Sequence, residues 1–302
     1  MRELIVGSRK SRLAITQTNW VIQKLKEKRP DLQIKLNTVT TKGDRILNVT
    51  LAKVGGKGLF VKEIENALLE RQIDFAVHSL KDLPAQSPKG LVIAAIPQRE
   101  NPFDCLISET ATTIDQLPPK AVIGTSSLRR QAQLLAYRPD LTIKPIRGNI
   151  DTRLRRLRQG EFDGIILAVA GLKRMNWQHQ ITQKLPLSRM VPAVGQGALA
   201  VQCREDDWEL IQLLQSIHHE ETARCIRAER AFLFSFQGDC HLPIAGYAEK
   251  QGERIRLTGF VASADGKKKI RKSMTGQEGE QVGQALAQWM MERGAKELLT
   301  TV

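Results

Sequence analysis

Residues 121–130 read Ala121-Val-Ile-Gly-Thr-Ser-Ser-Leu-Arg-Arg130. Ala121 to Ile123 has the pattern of a short buried strand, Gly124 breaks it, and Leu128 to Tyr137 predicts a helix. Thr125, Ser126 and Ser127 therefore fall at a helix N-terminus. Free backbone N–H groups, short hydroxyls and the positive end of the helix dipole meet there and favour an anion. Arg129 and Arg130 add two planar forks suited to carboxylate or phosphate. The plain alternative is an ordinary N-cap followed by two surface arginines. Working outward, Arg147, Arg153, Arg155, Arg156 and Arg174 also fall near predicted strand ends or helix starts. The chain reads as built around a polyanionic ligand, a polycarboxylate above all.

The composition allows this. A chain of 302 residues, 41% hydrophobic and 26% charged, has enough apolar residues for two or three domains with cores of their own. Lys and Arg number 46 against 32 Asp and Glu, a formal net charge of +14 that suits an anionic partner. Aromatics are only 5%, so stacking platforms for single-stranded nucleic acid are scarce; a nucleic-acid binder fits the charge alone, and no nucleic-acid partner is expected. A strand begins almost at Met1 with no signal-peptide core, and no apolar run approaches the ~20 residues of a membrane span. Cys105, Cys203, Cys225 and Cys240 lie far apart with no Cys-x-x-Cys pair. That predicts a reducing, cytoplasmic setting with no metal site.

Along the chain, Glu3 to Gly7 predicts a strand and Arg9 to Lys28 a helix, with Ser8-Arg-Lys-Ser11 at the turn between them as a second candidate anion site. Thr41 to Gly58 is long, polar and glycine-punctuated; it predicts a lid carrying Lys57 rather than a phosphate loop, because the Gly-x4-Gly-Lys-Ser/Thr spacing is absent. A helix is expected over Leu59–Arg71. The strand Asp74–Val77 runs into His78-Ser-Leu-Lys-Asp82, placing Lys81 and Asp82 at a strand's carboxyl end, where α/β sheets bind ligands. Taken alone, Asp82 also fits a turn residue. Strands alternating with helices continue to about residue 191, Val191 to Gly197 reads as a return crossing, and Ala198 to Cys203 as a strand rejoining the first part. Three strands and one closing helix over about 279–299 finish the chain. Cys240 sits in the loop at their entrance, a nucleophile by its polar surroundings, although most lone cysteines are inert.

The motifs together carry a resemblance. Gly7-Ser-Arg-x-Ser-x-Leu-Ala14 with Gln17, His78-Ser-Leu-Lys-Asp-Leu-Pro84, Gly124-Thr-Ser-Ser-Leu-Arg-Arg130, Arg147-Gly-Asn149 with Thr152-Arg153, Ala170-Gly-Leu-x-Arg174, Pro192-Ala-x-Gly-Gln-Gly197 and Cys240-x-x-Pro-Ile244 occur in this order. The chain closely resembles the porphobilinogen deaminase family from about residue 3 to its last helix.

The resemblance implies an α/β fold: two periplasmic-binding-protein-like α/β domains around a cleft, plus a small C-terminal α+β domain. The boundaries are expected at 1–97 with 198–216, at 103–191, and at 220–302. It implies an enzyme that joins four porphobilinogen molecules into the linear tetrapyrrole hydroxymethylbilane, releasing ammonia each time. It further implies a dipyrromethane cofactor bound through a thioether to Cys240, and a monomer. Asp82 matches the family's catalytic aspartate. Arg9, Ser11, Lys81, Thr125, Ser127, Arg129, Arg130, Arg147, Arg153 and Arg174 match its binding residues for cofactor and substrate carboxylates. Gln17 and Gln196 match other cleft positions, and Lys57 and Phe60 the mobile loop. Asp239 stands where the family usually has a second glycine before the cysteine, and His241 is not the commonest neighbour. The ligand does not account for the whole of the +14 charge. A non-enzymatic anion-binding protein of the periplasmic type is the main alternative.

Overall fold

The computed structural model describes residues 3–41, 61–84, 86–236 and 242–300. The predicted lid, with Lys57 and Phe60, and the Cys240 loop with Asp239 and His241 lie outside these residues. The described chain forms two compact units, one from residues up to 100 with 198–223, the other from 101–197 with 224 onward.

In the first unit a five-stranded sheet has the order β2-β1-β3-β10-β4. Its strands are β1 (Leu4–Arg9), β2 (Ile34–Val39), β3 (Phe75–Ser79), β4 (Leu91–Ala95) and β10 (Leu199–Arg204). β1 runs parallel to β2 and β3, while β10 is antiparallel to β3 and β4. Alternate residues of the strands feed opposite faces. Val6, Phe75, Val77 and Val201 meet Val21 and Leu25 of α1 (Arg12–Lys28) and Leu210 and Leu214 of α6 (Trp208–Gln215). Ala76 packs on the other side with Ile64 and Leu68 of α2 (Lys62–Leu69).

The second unit repeats the plan with the order β7-β6-β8-β5-β9, made of β5 (Asp104–Ile107), β6 (Val122–Gly124), β7 (Thr142–Lys144), β8 (Gly164–Ala168) and β9 (Gln183–Lys184). β6 is parallel to β7 and β8, and β5 is antiparallel to β8. In each sheet a parallel trio is flanked by an antiparallel strand, and that strand is the first one after the chain changes unit. Helices α3 (Leu128–Tyr137), α4 (Ile150–Arg158) and α5 (Val169–Arg174) follow the three parallel strands. Leu134 joins the core on one side of the sheet, Leu154, Leu157 and Leu172 that on the other.

The same unit holds an antiparallel meander of β11 (Ile244–Gln251), β12 (Arg254–Ala262) and β13 (Lys269–Gly276). One face packs on α7 (Glu220–Ser235) and α8 (Gly279–Met291) through Phe232, Leu257, Val261, Leu286 and Met290. On the other, Ala245, Phe260 and Ala262 pack against Ala132 of α3 and Val191.

Two expectations are corrected, and one helix is new. The first helix begins at Arg12, because Ser11 caps it by accepting from Ala14 N at 3.2 Å. The closing helix is two: α8 ends at Met291 and α9 (Ala295–Thr300) follows Gly294, whose φ of +84° no helix continues through. α6 was not anticipated, although Asp207 caps it by accepting from Leu210 N at 3.3 Å.

Candidate active site

In the first unit the carboxyl ends of adjacent parallel strands β1 and β3 gather the predicted residues. Arg9 ends β1 and Ser11 caps α1. Lys81 and Asp82 form the single 3-10 turn after β3, closed by Leu83 N donating to Leu80 O at 3.1 Å. Gln17 and Ser79 exchange side-chain hydrogen bonds of 3.0 and 3.1 Å and so tie α1 to the end of β3. Gln17 is only 4% exposed and braces α1 against the end of β3. His78, buried in β3, was not singled out from the sequence. Burial, with the charge of Arg9 adding to it and a hydrogen bond to Gln202 opposing, pushes its pKa down to about 4, so it is a neutral base at neutral pH.

In the second unit the predicted residues again collect at the carboxyl edge of β6, β7 and β8. Thr125 to Ser127 follow β6. Ser127 Oγ accepts from Arg130 N at the limit of 3.5 Å, and Thr125 Oγ1 accepts from Ser127 N at 3.2 Å. Arg147 and Gly148 follow β7. Arg153, one turn into α4, donates from Nε to Gly148 O at 2.8 Å. Arg174, ending α5 after β8, donates to Gly197 O at 2.8 Å.

The two arginines of the opening stretch are not surface residues, being 4% and 7% exposed. They grip a carboxylate from the chain itself. Arg129 Nη1 lies 2.6 Å from Asp104 Oδ2, and Arg130 Nη2 lies 2.7 Å from Asp104 Oδ1. Burial opposes ionisation of Asp104, but the charges of Arg129 and Arg130, with hydrogen bonds from Arg129 and Gln196, outweigh it and hold the carboxyl well below the usual range. Burial draws the Arg129 guanidinium down, with Asp104 opposing, and at neutral pH one carboxylate stands between two cations. Gln196, fully buried, donates to Asp104 Oδ1 at 3.0 Å and to Pro102 O at 2.7 Å, so it serves this cluster. The sequence carried a signal for Asp104: an aspartate opening the otherwise apolar strand Asp104-Cys-Leu-Ile.

Arg153 differs from this pair. Burial first, then the charges of Arg130 and Arg147, push its pKa down to about 10, and no carboxylate contributes. A half-buried cation pressed by two others carries unfavourable like-charge repulsion. The arrangement therefore defines an α/β protein that presents cations at the carboxyl edges of two parallel strand sets. Among the described residues no group of His, Cys, Asp and Glu could hold a metal ion.

Comparison with known proteins places that class. A family model described as porphobilinogen deaminase, dipyromethane cofactor binding domain, matches residues 4–212, and one described as porphobilinogen deaminase, C-terminal domain, matches residues 223–292. A porphobilinogen deaminase of Geobacillus kaustophilus is 56% identical over 303 residues, covering 100% of this chain and 98% of the relative. One of Bacillus subtilis is 56% identical over 304 residues, covering 100% and 97%. One of Listeria monocytogenes is 53% identical over 301 residues, covering 99% and 97%. Solved structures with a looser likeness include a putative methionine-binding lipoprotein of Bacillus subtilis at a TM-score of 0.45 and 12% identity, covering 74% of this chain and 92% of that one. The chain belongs to the porphobilinogen deaminase family, whose members are enzymes of tetrapyrrole biosynthesis. That membership favours an enzyme over the non-enzymatic anion binder.

Proposed function

We propose that this chain is a hydroxymethylbilane synthase, acting on four porphobilinogen molecules in turn. In each condensation a bond forms between the aminomethyl carbon of the incoming pyrrole and the free α-carbon of the terminal ring. The C–N bond breaks, ammonia leaves, and the α-proton is lost. Release would break the bond between the primer and the methylene of the first ring added: the hydroxyl of a water goes to that methylene and gives the hydroxymethyl end, and a proton returns to the primer's α-carbon. The observation that carries this is Arg153, pushed down by burial and by the charges of Arg130 and Arg147, in a domain of the matched family. Each pyrrole ring of the substrate bears an acetate and a propionate, and such carboxylates relieve that cluster.

The same observation is the test of fit for the cofactor. Arg147, Arg153 and Arg174 are donors that would hold its carboxylates, and Arg9, Ser11 and Lys81 match the family's binding positions for the same groups; Thr125 and Ser127 would contribute hydroxyls. Cys240 would carry the thioether. When bound, the dipyrromethane supplies the pyrrole carbon from which the chain grows. Asp82 would accept from pyrrole N–H groups and stabilise the positive charge that develops as ammonia departs. At ~4 Å and an effective dielectric near 20 such a pair is worth about 4 kcal/mol, or about three decades of rate. Among the described residues no helix is long and apolar enough to cross a membrane. A cytoplasmic, monomeric enzyme is part of the proposal and rests on the family resemblance.

The test is ammonia release and tetrapyrrole formation from porphobilinogen, with intact mass of the denatured protein. Asp82→Asn is expected to fold, keep the added mass of two pyrrole rings and lose most of kcat. Turnover within a few-fold of the parent would make Asp82 a turn residue only.

A further inference from the structure

Asp104 is fully buried at the first position of β5 and belongs to none of the motifs above. Its oxygens accept five side-chain hydrogen bonds. Oδ2 accepts from Arg129 Nη1 at 2.6 Å. Oδ1 accepts from Arg129 Nη2 at 3.3 Å, Arg130 Nε at 3.0 Å, Arg130 Nη2 at 2.7 Å and Gln196 Nε2 at 3.0 Å. Backbone carbonyls hold the far sides of the forks: Arg129 Nη1 donates to Val191 O and Arg130 Nη1 to Ile166 O, both at 2.9 Å.

Stability alone is a weak reason for such a triad, because well-packed apolar residues often replace a buried ion group without loss. Two neighbouring cations in the first turn of α3 also repel one another and oppose the helix dipole. What the triad supplies is orientation. With Nε and both η nitrogens engaged, the Arg130 plane is fixed on three sides. The charge so fixed is one of the two that bear on Arg153. Asp104 thus balances one of the two cations that it holds.

We propose that Asp104 is a positioning residue for ligand carboxylates: it locks Arg129 and Arg130 before any ligand arrives, so that Arg130 and Arg153 meet an incoming carboxylate as a preorganised pair. The inference rests on Arg153 being a carboxylate site, as proposed above.

Asp104→Asn keeps the shape and removes the charge, and Arg153→Gln serves as the control. Circular dichroism establishes which variants fold. In folded Asp104→Asn, KM for porphobilinogen is expected to rise about tenfold or more with a smaller change in kcat. A purely structural Asp104 would lower Tm and leave KM of the folded enzyme within about twofold. That result, with Arg153→Gln defective, overturns the inference and leaves the carboxylate site standing. If Arg153→Gln is normal as well, the site itself fails and the inference with it. Because Asp104→Asn leaves two buried cations unpaired and can fail to fold, a second measurement is made on the chain with its native Asp104. In the full chain carrying Cys240→Ser, the Arg130 Nε–H signal in nitrogen-edited NMR should exchange with water at least about tenfold more slowly than an exposed arginine's. Exchange at the exposed rate would mean that the ligand, not Asp104, orders Arg130, and would overturn the proposal.

Discussion

His78 and Arg153 are bases held below their ordinary values, and each ties stability to pH. His78 falls to about 4 through burial, so between there and its unfolded value near 6.5 the unfolded chain binds the extra proton. Stability from this group is complete above about pH 6.5 and is lost as pH falls toward 4, a change of roughly 3 kcal/mol. Urea unfolding at pH 7 and pH 5 should show a steeper loss for the parent than for His78→Gln; equal losses would place the proton elsewhere. Arg153 is charged in both states at pH 7, so the penalty that puts its pKa near 10 is present in full. Arg153→Met should therefore stabilise the cofactor-free protein by about 1 kcal/mol, after losing the bond to Gly148 O, while abolishing cofactor uptake measured by mass. Destabilisation instead would mean that Arg153 is satisfied without a ligand.

At the scale of elements, α3 matters most. Its first turn carries Arg129 and Arg130, and the β12–β13 hairpin grips it from Gln131 to Ala136. Gln131 Nε2 donates to Ala264 O at 3.1 Å and Lys269 Nζ to Ala136 O at 3.3 Å. Gly266, at φ +71°, brings hairpin backbone onto helix backbone; a Cβ there would stand 2.3 Å from Ala132 O and 2.8 Å from Ala136 N. Gly252, at φ +59° with nothing within 4 Å of such a Cβ, provides the contrast. Gly252→Ala should cost about 1 kcal/mol for its backbone alone, and Gly266→Ala roughly 2 kcal/mol or more because the hairpin must lift. Thermal unfolding separates the two by several degrees. Equal shifts would show that the hairpin yields freely and does not brace α3.

For the molecule as a whole, the question is which of four cysteines can carry a cofactor. Cys105, Cys203 and Cys225 are buried. Burial pushes the thiols of Cys105 and Cys203 up to about 12, far from the reactive thiolate. Replacing any of the three by Ser should leave the covalent mass in place, whereas Cys240→Ser should remove it. Added mass persisting in Cys240→Ser would move the attachment elsewhere.

Some of this was settled by residues close together in sequence. Ser11 and Ser127 cap helices because each precedes an apolar-periodic run, and the strand-then-helix alternation placed Arg9, Lys81, Asp82, Arg147, Arg153 and Arg174 at strand carboxyl ends. The motifs carried the family itself. Asp104 needed the tertiary structure. β5 lies antiparallel to β8, and Asp104 pairs with Ala168, the last residue of that strand. The reversed direction brings the first residue of β5 to the edge where α3 begins; a parallel β5 would bring Ile107 there. Local pattern tells which face of a strand is buried, but strand order and direction decide what it is buried against. Those are set by contacts distant in sequence, and so the partner of Arg129 and Arg130, and the inward placement of Gln17 and Gln196, became visible only in the fold.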